Sequence, residues 1–277
     1  MNRPSMIHIT GDLSGLAESF IRKALIDGMT ISVPQSNHSR IAKIMREEIL
    51  HSGANVIVHN QNEVIDANPV IFFDNFSQDQ NIAVPSDNMG SNMFIVANSV
   101  TRHSSNLGNI SCFIMVHDMI PITNSDYSNN HLLSEMLARL KLGEQYSSSN
   151  GVSDQYWWIS ENDVASGIYH LVLSRIKCTG LVNICGRRGW SVTDTFQQFS
   201  MLYHRTIAGT TGEFDVKHLT SSPIIPEGVV SVENASNSKR PDLSVIHGLI
   251  TRSGGEGWRP LTPLRTSLMQ YLAAHIE

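Results

Sequence analysis

Short apolar runs alternate with helical patterns along the first part of the chain. Strands are predicted where apolar residues run together or alternate, over Met6–Thr10, Thr30–Val33, Asn55–His59, Pro69–Phe73 and Ser111–His117. Helices are predicted where apolar residues recur every three or four positions, over Leu16–Asp27, Ile41–Ser52, Asn92–His103 and Tyr127–Leu142. This alternation is typical of a parallel sheet with right-handed crossovers.

The second half of the chain continues the pattern less regularly. Further elements are predicted as a helix over Asp163–Ser174, a strand over Leu181–Cys185, and helices over Thr193–Tyr203 and Thr262–Ile276. Residues 206–241 are rich in Thr, Ser, Gly and Pro, which is typical of a segment that covers a substrate. The predicted fold class is α/β, a Rossmann-like doubly wound parallel sheet with a small C-terminal substrate lobe.

The domain boundaries follow from this order. Residues 1–155 are expected to form the dinucleotide-binding core, including the helix that begins at Tyr127. Residues 156–277 are expected to add the remaining sheet elements and the substrate lobe, interleaved with the core in one folding unit.

Composition narrows the class of protein. The chain has 277 residues, of which 41% are hydrophobic and 16% charged, as expected of a globular protein. Its net charge of −5 disfavours nucleic acid as a partner. The sequence has neither an apolar stretch near the length of a membrane span nor a signal peptide, so a cytoplasmic location without membrane attachment is expected.

Cysteine and histidine usage indicates neither disulfides nor metal. The three cysteines suggest no disulfide framework, and Cys112 and Cys185 are expected to be buried free thiols of a reducing compartment. The twelve histidines are scattered without the HExxH spacing, so no metal is expected.

The strongest motif is the glycine-containing turn after the first strand. The segment Thr10–Ala17 reads TGDLSGLA and leads from a strand into a helix. Glycines allow a tight turn and a close approach of the backbone to a pyrophosphate, which sits on the positive helix N-terminus. The candidate cofactor-binding residues are Thr10, Gly11, Leu13, Ser14, Gly15 and Leu16. The alternative is a chance glycine pair at a strand–helix turn.

The end of the second strand bears on the choice of cofactor. An acidic residue there would bind the ribose hydroxyls of NAD, but the chain has none between Val33 and Arg40. Ser36, Asn37 and Arg40 could instead surround a 2′-phosphate, so NADP(H) is favoured over NAD(H). The alternative is that Arg40 is a solvated residue of the next helix.

Several stretches resemble, in order, the motifs of the NAD-dependent epimerase/dehydratase family, the extended short-chain dehydrogenases/reductases. They are Thr10–Ala17 (the cofactor turn), Pro69–Phe73 (the fourth strand), Tyr127–Glu135 (the YxxSKxxxE helix), Ile159–Ala165 (V-x-D-V-A), Val182–Gly186 (Y-N-I-G-G), and Arg240–Pro241 with Gly257–Pro260 (the R-P … G-W-x-P tail). The resemblance implies hydride transfer between nicotinamide and a sugar carbon, with Tyr127 as general acid/base and Phe73 beside the cofactor.

The catalytic motif is degenerate. The family's lysine, four residues after the tyrosine, is replaced by His131, whose protonated ring could still favour a phenolate. His117 and Asp118 stand where the family has a serine or threonine, so Thr123 or Ser125 could instead supply the hydroxyl. Asp118 is a candidate replacement acid/base. The alternatives are that Tyr127 only packs at the start of a helix, that His131 is a surface histidine, and that His117 and Asp118 form a hydrogen-bonded pair at the end of a strand.

Two residues are candidates for substrate binding. By the resemblance, Arg240 would meet a nucleotide diphosphate; otherwise it pairs with a local acid such as Asp242. Trp158 could contact a base, although capping the core is the commoner role of a tryptophan pair such as Trp157–Trp158.

The resulting prediction is an NADP(H)-dependent reductase or epimerase of a nucleotide-linked keto-sugar. The alternatives are a catalytically silent Rossmann protein that binds a dinucleotide or a partner chain, and a reductase of a non-sugar ketone. A homodimer could form through Ala97–His103 and Leu132–Leu140, although core packing explains the same apolar stripes.

Overall fold

A seven-stranded parallel sheet forms the centre of the protein. The computed structural model describes residues 6–59, 68–74, 93–98, 112–122, 131–144, 155–174, 177–220 and 239–276. The sheet strands are β1 (Met6–Gly11), β2 (Thr30–Pro34), β3 (Val56–His59), β4 (Val70–Phe73), β5 (Met93–Ala97), β6 (Cys112–Val116) and β10 (Gly180–Ile184). Their order across the sheet is β10-β6-β5-β4-β1-β2-β3.

Short strand pairs and helices complete the described structure. Two small sheets pair β7 (Met119–Ile120) with β9 (Ile159–Ser160) and β8 (Gln155–Tyr156) with β11 (Trp190–Ser191). The helices are α1 (Leu16–Ile26), α2 (Gln35–Ile44), α3 (Arg46–Ser52), α4 (His131–Lys141), α5 (Glu161–Val172), α6 (Val192–Thr211), α7 (Val216–Thr220), α8 (Ser244–Arg252) and α9 (Leu264–His275).

Two apolar clusters account for most of the described core. The first joins one face of the sheet to α1 and α5, and the side chains of Phe20, Ile114 and Ile168 are fully buried in it. The second joins α4, α6 and α9 around Phe199 and Tyr271. The predicted fold class is thereby confirmed.

The predicted strands are confirmed, but the helix predicted over Asn92–His103 is wrong. Residues Met93–Ala97 form β5, a central strand whose residues are all buried. A central parallel strand is covered on both faces, so its apolar run has no period that separates it from a buried helix. The remainder of that range, 99–103, lies outside the described residues.

Several helix boundaries differ from the predictions. The helix expected over Ile41–Ser52 is two helices, α2 and α3, that meet at Met45, and the predicted cap Gly53 ends α3 in the left-handed conformation. The helix expected to end at Tyr203 continues to Thr211, so it includes the start of the segment expected to cover substrate. Of the helix predicted from Tyr127, the structure describes residues from His131 onward.

The expectation of no disulfide is wrong. Cys112 and Cys178 form a disulfide, with their Cα atoms 5.6 Å apart. Cys112 begins β6 and Cys178 lies two residues before β10; the fold places these two strands side by side, although 66 positions separate the cysteines in sequence. Cys185 is a buried free thiol, as predicted. The expectation of a reducing compartment was based on free thiols at Cys112 and Cys185, and only Cys185 still supports it. Cytoplasmic location stays a prediction.

The apolar stripes considered for a homodimer are used inside the chain. Leu133, Met136, Leu137 and Leu140 of α4 are buried against residues of α6 and α9. Ala97 ends a buried strand rather than lying in a helix. Core packing explains these described residues, and a homodimer stays a prediction without a surface assigned to it.

Candidate functional site

The order of the strands places a topological switch point at the carboxyl ends of β1 and β4. The chain leaves β1 toward β2 on one side, whereas β4 continues to β5 on the other. Gly11, the last residue of β1, pairs in register with Phe73, the last residue of β4. Open α/β sheets bind ligands at such a switch point. The glycine-containing turn predicted from the sequence lies here.

Gly11 has two reasons to be glycine. Its φ of 89° lies in the left-handed region that side chains rarely adopt. A Cβ atom there would overlap the carbonyl group of Phe73 on the neighbouring strand, and that backbone cannot yield without breaking the sheet. The Asp12 N–H donates to the same carbonyl oxygen at 2.9 Å. The turn is therefore held directly against β4, and the side chain of Phe73 is buried beneath it beside Phe20.

Asp12 closes the first half of the turn. One of its carboxylate oxygens accepts hydrogen bonds from the backbone N–H of Ser14 at 3.0 Å and from the Ser14 hydroxyl at 2.6 Å. The Ser14 amide is therefore engaged within the loop, and the loop holds a negative charge. The side chain of Leu13 points into the core, where it is 1% exposed.

The second half of the turn forms the start of α1. Gly15 caps the helix with φ 50° and ψ −113°, and no described side chain accepts a hydrogen bond at this end. The Ala17 N–H donates to the Ser14 carbonyl oxygen. The backbone N–H groups of Gly15 and Leu16 could donate hydrogen bonds to a diphosphate oxygen, and the positive end of the helix dipole would favour its negative charge.

Arg40 connects the second strand to this turn. Helix α2 begins directly after β2, and it places Ser36 and Asn37 in its first turn, where the Ser36 hydroxyl donates to the Asn37 side chain. The Arg40 guanidinium donates to the Leu13 carbonyl oxygen at 2.7 Å and to Glu18 of α1 at 2.5 Å. The structure thus brings Arg40 to the glycine-containing turn, a contact that sequence reasoning did not predict.

A buried carboxyl group lies behind the same helix. Glu161, the first residue of α5, is fully buried and accepts a hydrogen bond from the Ser19 hydroxyl of α1 at 2.5 Å. Burial raises the pKa of Glu161, against the opposing effect of its hydrogen bonds from Ser19 and Ile122. Sequence reasoning missed this residue because nothing local marks a glutamate at a helix start as buried.

The ends of β6 and β10 form a second polar group of residues. His117 hydrogen-bonds through Nε2 to the Asn183 side chain at 2.9 Å. Asp118 has an unusual φ of 48°, and its carboxylate accepts the Trp157 N–H at 2.8 Å. Burial raises the pKa of the Asp118 carboxyl group. These hydrogen bonds join His117 to β10 and Asp118 to the Trp157 backbone, so the two residues contact other segments of the chain.

The neighbouring thiol is not a nucleophile. Burial, reinforced by the charge of Asp118, raises the pKa of Cys185 to about 12. Since the thiolate is the reactive form, Cys185 is inert near neutral pH.

The two candidate substrate residues differ in exposure. Trp158 is buried, donates from its ring N–H to the Thr195 hydroxyl at 2.9 Å and stacks on Tyr156, so its described contacts are those of a core residue. Arg240 is exposed near the end of β10, where it donates to the Arg187 carbonyl oxygen at 3.3 Å. Asp242 accepts hydrogen bonds from Ser244 at the start of α8.

The catalytic candidates Thr123 and Tyr127 lie outside the described residues, and the side chain of His131 is likewise not described. Their roles stay predictions. Within the described ranges, no cluster of metal-binding side chains occurs and no helix is long and apolar enough to cross a membrane.

Comparison with known proteins finds likeness in fold but not in sequence. No family model and no characterised protein sequence matches the chain. A UDP-glucuronic acid 4-epimerase from Bacillus cereus in complex with NAD is 9% identical, with a TM-score of 0.54 over 97% of this chain and 96% of that one. A dTDP-glucose 4,6-dehydratase from Bacillus anthracis in complex with NAD is 11% identical, with a TM-score of 0.52 over 98% and 96%.

A third similar structure is a domain from a biosynthetic pathway. The terminal R domain from the myxalamid PKS-NRPS biosynthetic pathway is 11% identical, with a TM-score of 0.57 over 99% of this chain and 91% of that one. At these identities the comparisons establish the fold alone, which this chain shares with the three structures over nearly its whole length.

Proposed function

We propose that the protein is an NADP(H)-dependent reductase or epimerase that acts on a nucleotide-linked keto-sugar. The observation that supports this most is the turn at Gly11, which leaves the central strand β1, contacts β4 at the switch point and opens directly into α1. A parallel sheet with such a turn at its switch point is the arrangement that binds dinucleotides. Two of the similar structures, a UDP-glucuronic acid 4-epimerase and a dTDP-glucose 4,6-dehydratase, are complexes with NAD.

The residues of the turn fit a dinucleotide in part. Thr10 and Gly11 would line the approach, and the amides of Gly15 and Leu16 would hold the diphosphate. The bound nicotinamide would supply or accept the hydride. Asp12 opposes binding because its carboxylate adds a negative charge to the loop and engages the Ser14 amide. We therefore expect Asp12→Asn, which keeps the acceptor oxygen and removes the charge, to bind the cofactor more tightly.

The preference for NADP(H) rests on Arg40. Its guanidinium lies between the end of β2 and the turn, and the described residues at the end of β2 include no carboxylate that would bind ribose hydroxyls. Ser36 and Asn37 are close in sequence, and the Ser36 hydroxyl and the Asn37 amide NH₂ could donate to the same phosphate. This set would favour a 2′-phosphate over a bare ribose.

The proposed chemistry assigns proton transfer to Tyr127, with His131 as the nearby cation and Thr123 holding the substrate oxygen. Asp118 is the alternative proton donor, since its raised pKa keeps the carboxyl group protonated to higher pH than usual. Arg240 is proposed to bind the nucleotide diphosphate because it is exposed at the carboxyl edge of the sheet. Trp158 remains a weaker proposal in view of its buried contacts.

Two measurements test the proposal. Fluorescence titration with NADPH and NADH should show binding, with NADPH tighter, and failure of both to bind would refute the cofactor assignment. NADPH oxidation should then be measured with a panel of nucleotide-linked 4-keto-sugars. Tyr127→Phe should lose most of the activity, whereas Tyr203→Phe, a matched change on α6, should not. Equal rates for wild type and Tyr127→Phe would remove Tyr127 from the chemistry.

The charge of Asp12 favours one other candidate, a catalytically silent Rossmann protein. Such a protein would show weak or absent cofactor binding and no turnover. If Asp12→Asn binds NADPH while the wild type does not, the silent protein is the better description. A reductase of a non-sugar ketone would instead bind NADPH and fail with every nucleotide sugar in the panel.

A further inference from the structure

The carboxyl group of Glu161 joins three separate parts of the chain. Glu161 begins α5 and is fully buried. One of its oxygens, Oε1, accepts the Ser19 hydroxyl of α1 at 2.5 Å, and the other, Oε2, accepts the backbone N–H of Ile122 at 3.1 Å. We call this arrangement the Glu161 clamp, formed by Ser19, Ile122 and Glu161.

The position of the clamp relates it to the proposed cofactor site. Ser19 lies on α1 one helical turn after Gly15, on the side of the helix that packs against α5. Any shift of Ser19 therefore moves the first turn of α1, where the diphosphate is proposed to bind. Ile122 lies two residues after the short strand β7, so the same carboxyl group also fixes the chain where it leaves the two-stranded sheet of β7 and β9.

Burying a carboxyl group between α1 and α5 costs free energy of folding. Burying an ionisable group opposes folding unless its hydrogen bonds compensate, and an apolar side chain of similar size would avoid the penalty. An apolar side chain has no acceptor, whereas the two oxygens of the carboxyl group each accept a hydrogen bond from a different segment of the chain. The geometry of the clamp thus provides orientation that packing alone does not.

We infer that Glu161 is a positioning residue of the proposed dinucleotide site, holding the first turn of α1 in register with the chain that leaves β7 at Ile122. This inference rests on the proposed function for its consequence, which is tighter cofactor binding. The clamp itself can be tested without cofactor.

Three variants separate positioning from general stability. Glu161→Ala removes both acceptors, and Ser19→Ala removes the link to α1 alone. Glu161→Gln keeps the shape, because its amide oxygen can accept the Ile122 N–H while its NH₂ group donates to the Ser19 hydroxyl. Glu48→Gln is the matched control. Glu48 of α3 forms an ion pair at 2.7 Å with Arg22, which lies on α1 like Ser19 but farther from the glycine-containing turn.

The first readout is hydrogen exchange of the Ile122 amide in the protein without cofactor. Glu161→Ala should speed its exchange by about tenfold or more, the effect of losing one buried hydrogen bond, while Glu161→Gln should restore protection. Amides of the central strand β5 should be unchanged. An unchanged Ile122 amide in folded Glu161→Ala, or equal loss of protection across the sheet, would overturn the clamp. Should Glu161→Ala not fold, Ile122 protection in Glu161→Gln decides: wild-type protection supports the clamp, and lost protection contradicts it.

The second readout is NADPH affinity by fluorescence. Ser19→Ala and Glu161→Ala should weaken binding by about tenfold, and Glu161→Gln and Glu48→Gln should stay within about twofold of the wild type. Equal affinities for all variants would overturn the positioning role, even with the clamp intact. If the wild type itself binds no NADPH, the proposed function and the positioning role both fail, whereas the exchange of the Ile122 amide still reports on the clamp.

Discussion

Arg40 offers the sharpest test of cofactor choice, because its hydrogen bond to the turn affects both cofactors whereas its charge is proposed to affect NADPH alone. The guanidinium donates to the Leu13 carbonyl oxygen and to Glu18, and 42% of its side chain remains exposed. Arg40→Ala removes a bond that orders the turn, which both NADPH and NADH need. It also removes the cation proposed for the 2′-phosphate, which only NADPH has.

The expected magnitudes follow from these contacts. A hydrogen bond to a charged group contributes about 1.5–3 kcal/mol, and a neutral one about 1 kcal/mol. Solvent screening and competition from Glu18 place the phosphate contact at the lower end, near 1.5 kcal/mol. Arg40→Ala should therefore weaken the binding of NADPH by roughly fifty- to a hundredfold and the binding of NADH by about fivefold. The ratio of the two affinities should fall by roughly tenfold.

Parallel fluorescence titrations at one ionic strength measure that ratio. Glu18→Gln is the informative partner variant: it keeps a hydrogen-bond acceptor for Arg40 but removes the competing charge, so NADPH should bind more tightly and NADH equally. The reasoning would be refuted if Arg40→Ala weakened both cofactors by the same factor, because Arg40 would then only order the turn.

Three further predictions concern stability and the turn. Gly11→Ala should abolish binding of both cofactors and lower Tm, as circular dichroism would show, because the new methyl group meets the Phe73 carbonyl. Cys178→Ser should reduce the free energy of unfolding by about 4 kcal/mol without reductant, since the bond to Cys112 closes a 66-residue separation; denaturant titration with and without reductant measures this. Glu161→Gln should gain stability relative to the wild type as pH rises. The folded protein binds the Glu161 proton more tightly than the unfolded chain, so wild-type stability falls from the usual pKa of 4.5 up through the raised folded value.

Matched variants keep these predictions specific. Gly28→Ala also places a side chain at positive φ, but its Cβ would meet nothing within 4 Å, so it should lose only about 1 kcal/mol and bind normally. Cys185→Ser keeps the Cys112–Cys178 disulfide, so its stability should fall on adding reductant as that of the wild type does, whereas the stability of Cys178→Ser should not respond to reductant. For Glu161→Gln, a stability difference that stays constant between pH 4 and 8 would contradict the raised pKa; denaturant titrations across that range decide.

Local pattern was sufficient wherever neighbouring residues determine structure. The apolar runs at Met6–Thr10 and Pro69–Phe73 became adjacent parallel strands, and Gly53 ended a helix in the left-handed conformation that glycine favours. The same kind of pattern located the turn at Gly11, because a strand, a glycine and an amphipathic helix follow one another in the chain. Met93–Ala97 was misassigned because burial on both faces removes the periodicity on which the distinction between strand and helix depends.

Contacts between distant segments were decided only by the tertiary structure. The disulfide of Cys112 and Cys178 depends on β6 lying beside β10, and the buried carboxyl group of Glu161 depends on α1 packing against α5. Neither pairing leaves a signal in the local sequence, because which helix and which strand become neighbours is set by the burial of the whole sheet. The sequence alone therefore determined the elements and the turn between them, while packing determined which polar groups meet there, since hydrogen bonds and disulfides need atoms that only the folded sheet brings within a few ångströms.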